Sequence, residues 1–184
     1  MSPRIEPLPE AEWDDETAAL LASLRRGDKP VLNIFATLAR HPALFKGWLG
    51  FGGQLLLAGA LPPRERELAI LRTAWNTRTE YEWGQHVRIA ERAGVGEDDI
   101  ARLVRQDGPD DPAWTPVESA VLRAADELHA DACISDDTWA ALAEHFDDRQ
   151  LIELCMLVGQ YHLVAFTLNS LGVEREPGVP GFPA

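Results

Sequence analysis

Glu82 and His86 stand four residues apart in the stretch Thr79-Glu-Tyr-Glu-Trp-Gly-Gln-His86, a spacing that puts both side chains on one face of a helix. A carboxylate beside an imidazole can fix the ring's orientation and raise its proton affinity. The other ring nitrogen is then left to exchange a proton with a ligand near neutral pH. Glu67, on the preceding helix, is a third candidate because a tight helical hairpin brings it opposite His86, and two carboxylates flanking one imidazole form a short proton relay. Tyr81, Trp83 and Ile89 would desolvate such a site. The same residues also admit a plain structural reading. Thr79 and Glu82 fit a capping box, in which Glu82 serves a backbone N–H at the helix start, and His86 is then a satisfied structural residue. A cavity at the ring edges with a cationic wall is the mark of catalysis; a filled core around His86 is the mark of the structural alternative.

Other polar residues rank lower. His129 lies among acids in Asp126-Glu-Leu-His-Ala-Asp131, which reads as a solvated face or a helix end. His41 precedes a proline and reads as a terminal residue, and His145 sits in a polar stretch. The last helix carries Glu153, Gln160, Tyr161, His162 and Asn169 among apolar neighbours. Buried polar groups need partners, so Tyr161 and Asn169 either line a common cavity or lock helices together, with locking the better reading. Cys133 and Cys155 form no CxxC or ligand-spaced cluster, and Cys155 reads as a small hydrophobe. Glu82 with His86 offers one carboxylate and one imidazole where a zinc site needs three protein ligands. No GxGxxG follows a strand and no GxSxG is present, so neither a metal nor an organic cofactor is expected.

The elements that must position these groups are helices. Residues 14–26 place Ala18, Leu21 and Leu24 on one face, with Gly27 as a stop; a second helix runs from about Pro30 to Ala39 and ends before Pro42. Residues 43–58 read as a third helix with bulky anchors despite glycines at 47, 50, 52 and 53, and its broad apolar surface suits a cavity wall, a subunit contact or a plain core. Pro62-Pro63 opens a helix to about Trp75. Residues 80–93 follow, closed by Gly94, and then a shorter helix from Glu97 to Val104. Residues 107–115 form the clearest loop. Thr115 with Glu118 is a capping-box pattern for a helix to about Ala130, Ser135 can cap the next, and Asp147-Asp148 precede a long apolar helix from Arg149 to about Ser170, stopped by Gly172. No strand-like alternation appears, and the sum is an all-α chain of about eight helices: a Pro-rich arm over 1–13, one domain over 14–175 and a tail over 176–184. Arms of this kind often pack on a neighbouring subunit.

The chain has 184 residues, enough for one domain with a real core. Its 17 Lys and Arg against 30 Asp and Glu give a formal net charge of -13, which repels phosphate backbones and anionic membranes; no nucleic-acid or membrane partner is expected. The N-terminus has no apolar h-region and no run reaches the roughly 18 residues of a membrane span, so a cytoplasmic protein is expected.

At Glu67-Leu-Ala-Ile-Leu, and again at Thr79-Glu-Tyr-Glu-Trp-Gly-Gln-His86-Val-Arg-Ile-Ala, the chain resembles the carboxymuconolactone decarboxylase family, which shares its fold with the alkylhydroperoxidase AhpD. The likeness runs on through Asp98-Asp-Ile to Leu151-Ile-Glu-Leu, Gly159-Gln-Tyr161 and Asn169. It implies an AhpD-like all-α fold in a homo-oligomer (dimer, trimer or hexamer), with an active cavity near a subunit interface. The peroxidase branch pairs an upstream glutamate with CxxC and a histidine; here those positions hold Glu67, Thr79, Glu82 and His86, so thiol peroxidase activity is not expected. The decarboxylase branch carries Glu-x-x-x-His, matched by Glu82 and His86. The resemblance therefore implies a cofactor-independent lyase or isomerase acting on an anionic or lactone-like small molecule, with His86 as proton donor, Glu82 orienting it and Glu67 tuning its charge. Arg72, Arg78 and Arg88 are the nearby candidates for a cationic clamp, and Arg64 and Arg66 belong to the same helix as Glu67. The alternative is a non-catalytic oligomeric ligand-binding or scaffold protein of the same fold.

Overall fold

The computed structural model describes residues 2–25, 27, 29–105 and 107–183. Met1 of the expected arm, Arg26 of the expected first helix and Ala184 of the tail lie outside the described residues, as do Asp28 and Gln106. Nine α-helices form among the described residues: α1 Asp15–Leu24, α2 Asn33–Leu38, α3 Pro42–Leu57, α4 Pro63–Asn76, α5 Glu80–Arg92, α6 Glu97–Leu103, α7 Pro116–Asp131, α8 Asp136–Ala143 and α9 Asp148–Leu171. Eight of them have seven residues or more and α2 has six, so the fold is the expected all-α one.

Helix ends follow local chemistry. Thr115 and Glu118 form a reciprocal capping box at α7, Asp147 and Gln150 form another at α9, and the Ser135 side chain accepts from Thr138 N–H at α8. Gly94 and Gly172 adopt left-handed φ values of 84° and 68° just beyond α5 and α9, where a side chain would be strained. Two ends differ from the expected ones: α1 stops at Leu24, with Arg25 extended, and α2 starts three residues after Pro30. The glycines of α3 do not break it. At Gly47, Gly50 and Gly53 an added Cβ would meet nothing, so these positions answer to no close contact within the chain.

The organising element is α4. Eight consecutive residues, Glu67 to Ala74, are buried, the pattern of a helix enclosed on all sides rather than one lying on a surface. It packs against α5, α7 and α9. Between α4, α7, α8 and α9 lies the largest apolar cluster, including Ile70, Val121, Leu142, Leu154 and Leu157. A second, with Leu68, Leu71, Trp83 and Leu122, fills the space between α4, α5 and α7.

The described parts of the arm and the tail lie on the domain. The N–H of Arg4 donates to the Leu171 carbonyl at 2.8 Å and that of Leu8 to Ala36 at 3.0 Å, so the arm lies on its own chain. The C-terminal segment crosses α5: Gly84 has Val179 and the Pro180 carbonyl against it, closer than any Cβ could tolerate, and Phe182 packs edge-on against Trp75 and Trp83 at 5.1 and 5.3 Å between centroids. Glu176 accepts hydrogen bonds from Asn33 N–H and Tyr81 O–H, both at 2.7 Å, tying tail, α2 and α5 together.

Contrary to the expectation from unbroken apolar runs, α9 has the length and composition of a membrane-crossing helix, with mean hydropathy 1.6 over its most apolar window, half of which is buried inside the fold. Its polar residues are spaced widely enough to leave the average high while breaking every long run. The rest of α9 is a stripe of exposed apolar side chains, Ile152, Met156, Leu163 and Phe166, beside exposed Leu44 and Phe51 of α3.

Candidate functional site

Glu67, Glu82 and His86 come together where α4 and α5 turn back on each other. The connection is three residues long. Thr77 closes the last turn of α4, Arg78 takes a left-handed φ of 55°, and Thr79 N–H reaches back to the Ala74 carbonyl at 2.9 Å, a helix-ending bond pattern that reverses the chain sharply. Asn169 of α9 secures the turn through the Thr77 carbonyl at 3.0 Å and Thr79 Oγ1 at 3.1 Å, which is the locking role. The hairpin lays His86 against Glu67, nineteen positions earlier: Nδ1 and Oε2 are 2.8 Å apart.

Arg66 Nε donates to the other Glu67 oxygen at 3.0 Å. Burial opposes ionisation of Glu67, but the bonds to His86 and Arg66 outweigh it and hold the carboxyl below the ordinary range. A carboxylate in that state accepts the Nδ1 proton, so Nε2 becomes the nitrogen available for exchange. Tyr161 of α9 meets the imidazole at 88° with ring centroids 5.0 Å apart. Burial, above all, pushes its phenol well above its usual value.

Glu82 behaves differently from expectation. It is 3% exposed, and among the described residues neither of its sealed oxygens has a hydrogen-bond partner. The Thr79–Glu82 capping box does not form: Thr79 occupies the cap position of α5 without a side-chain cap bond, its hydroxyl being shared with Thr77 at 3.0 Å and Asn169. Nor does Glu82 hold the imidazole; Glu67 does that, across the hairpin. Burial alone pushes the Glu82 carboxyl well above its usual range, because a sealed site disfavours the charged form. Two carboxyl groups beside one imidazole are thus driven in opposite directions, the pattern of an acid and base assigned by environment.

The clamp is smaller than the sequence suggested. Arg64 binds Glu118 and Asp99, Arg72 is bidentate on Asp126 at 2.6 and 2.8 Å, Arg78 lies over the Trp75 ring and Arg88 donates to the Gly178 carbonyl. Of the five, Arg66 alone reaches the Glu67–His86 pair. The His86 side chain keeps 9% of its surface. Two cavities, of about 700 Å³ beside the C-terminal segment and about 710 Å³ between α2, α3 and α9, are lined without Glu67, Glu82 or His86. The imidazole is thus nearly enclosed within a single chain. No group of three or more His, Cys, Asp or Glu among the described residues is arranged to hold a metal ion.

The remaining candidates lie elsewhere. His41 caps α3 with its ring, and His145 is exposed. His129 is exposed near the end of α7 as expected, but it bonds to His162 of α9, a contact across 33 positions that no local pattern announces. Cys155 is half-buried, and burial pushes its thiol up, away from the reactive thiolate. Cys133 is exposed. Glu153 accepts from the N–H groups of Ala60 and Leu61 at 2.6 and 2.9 Å, a structural role before α4.

Residues 42–127 match the carboxymuconolactone decarboxylase family. No curated protein sequence matches the chain. Among solved structures, a peroxidase-related protein with an alkylhydroperoxidase AhpD core from Ralstonia eutropha JMP134 is similar at 21% identity and TM-score 0.80, over 94% of this chain and 93% of that one. A peroxidase-related protein from Silicibacter sp. TM1040 follows at 17% identity and TM-score 0.77, over 98% and 93%. The debrominase Bmp8, as a cysteine-to-alanine variant in complex with 2,3,4-tribromopyrrole, is similar at 14% identity and TM-score 0.75, over 96% and 94%. At these identities the structures establish the fold, and the chain holds no CxxC cysteine pair. Over residues 42–127 the chain is similar to the carboxymuconolactone decarboxylase family, and its fold is AhpD-like.

Proposed function

We propose that the chain is a cofactor-independent proton-transfer catalyst, a lyase or isomerase acting on a carboxylactone or related small cyclic acid. The observation that carries this reading is the Glu67–His86 bond beside the sealed, unpartnered Glu82 carboxyl. In decarboxylation the C–C bond to the departing carboxylate breaks, and its electrons pass into the lactone-conjugated system. Protonated His86, held by Glu67, delivers a proton from Nε2 to carbon after carbon dioxide leaves, and water restores it. Arg66 gives the substrate's carboxylate a cationic neighbour. The debrominase of the same fold holds 2,3,4-tribromopyrrole, so a small ring compound is the ligand size we assign.

We propose too that copies of the chain assemble through the apolar stripe of α9 and the adjoining face of α3, where Phe166 is 65% and Leu44 65% exposed. Soluble monomers rarely display contiguous patches of this kind. A non-catalytic ligand-binding or scaffold protein is the second reading, favoured by the near-enclosure of His86 and by the single arginine beside it.

The experiment is consumption of 4-carboxymuconolactone with carbon dioxide release, comparing wild type, His86→Ala and Glu82→Gln after circular dichroism shows all three folded. Turnover in wild type that falls at least about 10²-fold in His86→Ala supports the reading. Absence of turnover on this and related lactones leaves the binding-protein reading.

A further inference from the structure

The cavity of about 710 Å³ between α2, α3 and α9 has mostly apolar walls, with Phe45, Trp48 and Phe51 contributed by α3 and Val164 by α9. Its volume is that of a small-molecule site. Two polar side chains interrupt the buried part of the lining. Thr37 is 3% exposed, and its sealed hydroxyl has no hydrogen-bond partner among the described residues. Gln160 is 5% exposed. Glu153 and Asn169, on the same helix, bond to Ala60, Leu61, Thr77 and Thr79, whereas the Gln160 carboxamide takes part in no hydrogen bond among the described residues. Unlike the Thr37 hydroxyl it is not sealed, so it opens on the cavity it lines. Its nitrogen lies beside Gly52 of α3, 3.4 Å from where a Cβ would stand. A buried amide without a partner opposes folding, and one that opens on a cavity is satisfied by what enters there.

We propose that this cavity binds an uncharged cyclic small molecule bearing one hydroxyl or carbonyl group, which hydrogen-bonds to the Gln160 carboxamide. A carboxamide offers both donors and an acceptor, so it serves either group. The charges of the lining select a neutral molecule. In a chain with 30 acidic residues the lining holds no carboxylate, so nothing there balances a cation. Its arginine, Arg40, is exposed and donates through Nε to the Glu6 carbonyl at 2.8 Å, and the His41 ring, also exposed, accepts from Leu44 N–H. Both stand at the rim, so an anion drawn in to Gln160 would lack a counter-charge. Three aromatic side chains along one wall suit a flat ring.

Glu67, Glu82 and His86 do not line this cavity, so the site stands apart from the proposed proton-transfer centre. Leu44 and Phe51 belong both to its rim and to the exposed apolar surface beside α9. Phe166 belongs to that surface and not to the cavity, which allows the two to be tested separately.

Amide NMR spectra of the full chain, titrated with 2-naphthol and with naphthalene, test this. The expected result is saturable shifts in α2, α3 and α9 with one 2-naphthol per chain. Gln160→Leu should weaken 2-naphthol at least about fivefold, the loss of one hydrogen bond, and leave naphthalene unchanged or tighter. Gln160→Met provides a second variant should leucine disturb the fold. His86→Ala and Phe166→Glu should both bind 2-naphthol as wild type does. The assignment is overturned by an absence of saturable binding, by a Gln160 effect equal for the two compounds, or by loss of 2-naphthol in His86→Ala. Binding that appears only in Phe166→Glu gives the cavity to a second copy of the chain and overturns it as well.

Discussion

Glu67 Oε2 lies 2.8 Å from His86 Nδ1, and the two residues belong to successive helices joined by three residues. The bond assigns the Nδ1 proton and thereby makes Nε2 the working nitrogen. In Glu67→Gln the amide can accept that proton or offer one, so the tautomer is no longer imposed. Nitrogen chemical shifts of the imidazole should show a mixture of tautomers, and if the proposed lyase activity exists, kcat should fall about 10²-fold or more. Because the carboxyl is held below its ordinary range in the fold, its ion pairing stabilises the chain above the unfolded carboxylate range and is lost as pH falls through the folded value. Urea unfolding should therefore lose less stability on acidification in Glu67→Gln than in wild type.

Glu82 predicts the opposite slope. Its folded carboxyl titrates above the ordinary 4.5. The stability it allows is fully present below that value, and it is lost as pH rises toward the folded one, since the unfolded chain ionises first. Relative to wild type, Glu82→Gln should gain stability as pH rises above the ordinary carboxylate range and gain little below it. Chemical denaturation across that range is the measurement; a difference independent of pH would show that the wild-type carboxyl is not held neutral.

Gly84→Ala introduces a methyl group where Val179 and the Pro180 carbonyl already lie. Overpacking of this kind costs about 1–3 kcal/mol. The expected outcome is release of residues 176–183 from α5, read as faster amide exchange there together with a lowered unfolding midpoint.

Phe166→Glu places a charge on the exposed stripe of α9. If copies assemble through this face, light scattering should report a smaller mass than for wild type at the same concentration, with the circular dichroism unchanged because the residue is 65% exposed within one chain.

What the sequence made legible was local. Thr115 with Glu118, Ser135 with Thr138 and Asp147 with Gln150 mark helix starts because a side chain three residues away satisfies the same backbone group in any context. Glu67 was legible as a partner of His86 through the short turn between their helices. The reversal of roles between Glu67 and Glu82 was not, since both spacings suit an imidazole and only the packing of α9, with Tyr161 over the ring, decides which carboxyl is bonded and which is sealed. His129 with His162, and Glu176 with Tyr81, are long-range contacts between segments whose own patterns say nothing of each other.

Gly84 leaves no room for a side chain because the C-terminal segment passes over it. In evolutionary terms the glycine and the segment form one character: a relative bearing a larger residue at this position must route its terminus elsewhere, and one that loses the segment frees the position to vary. The two should be inherited, and lost, together.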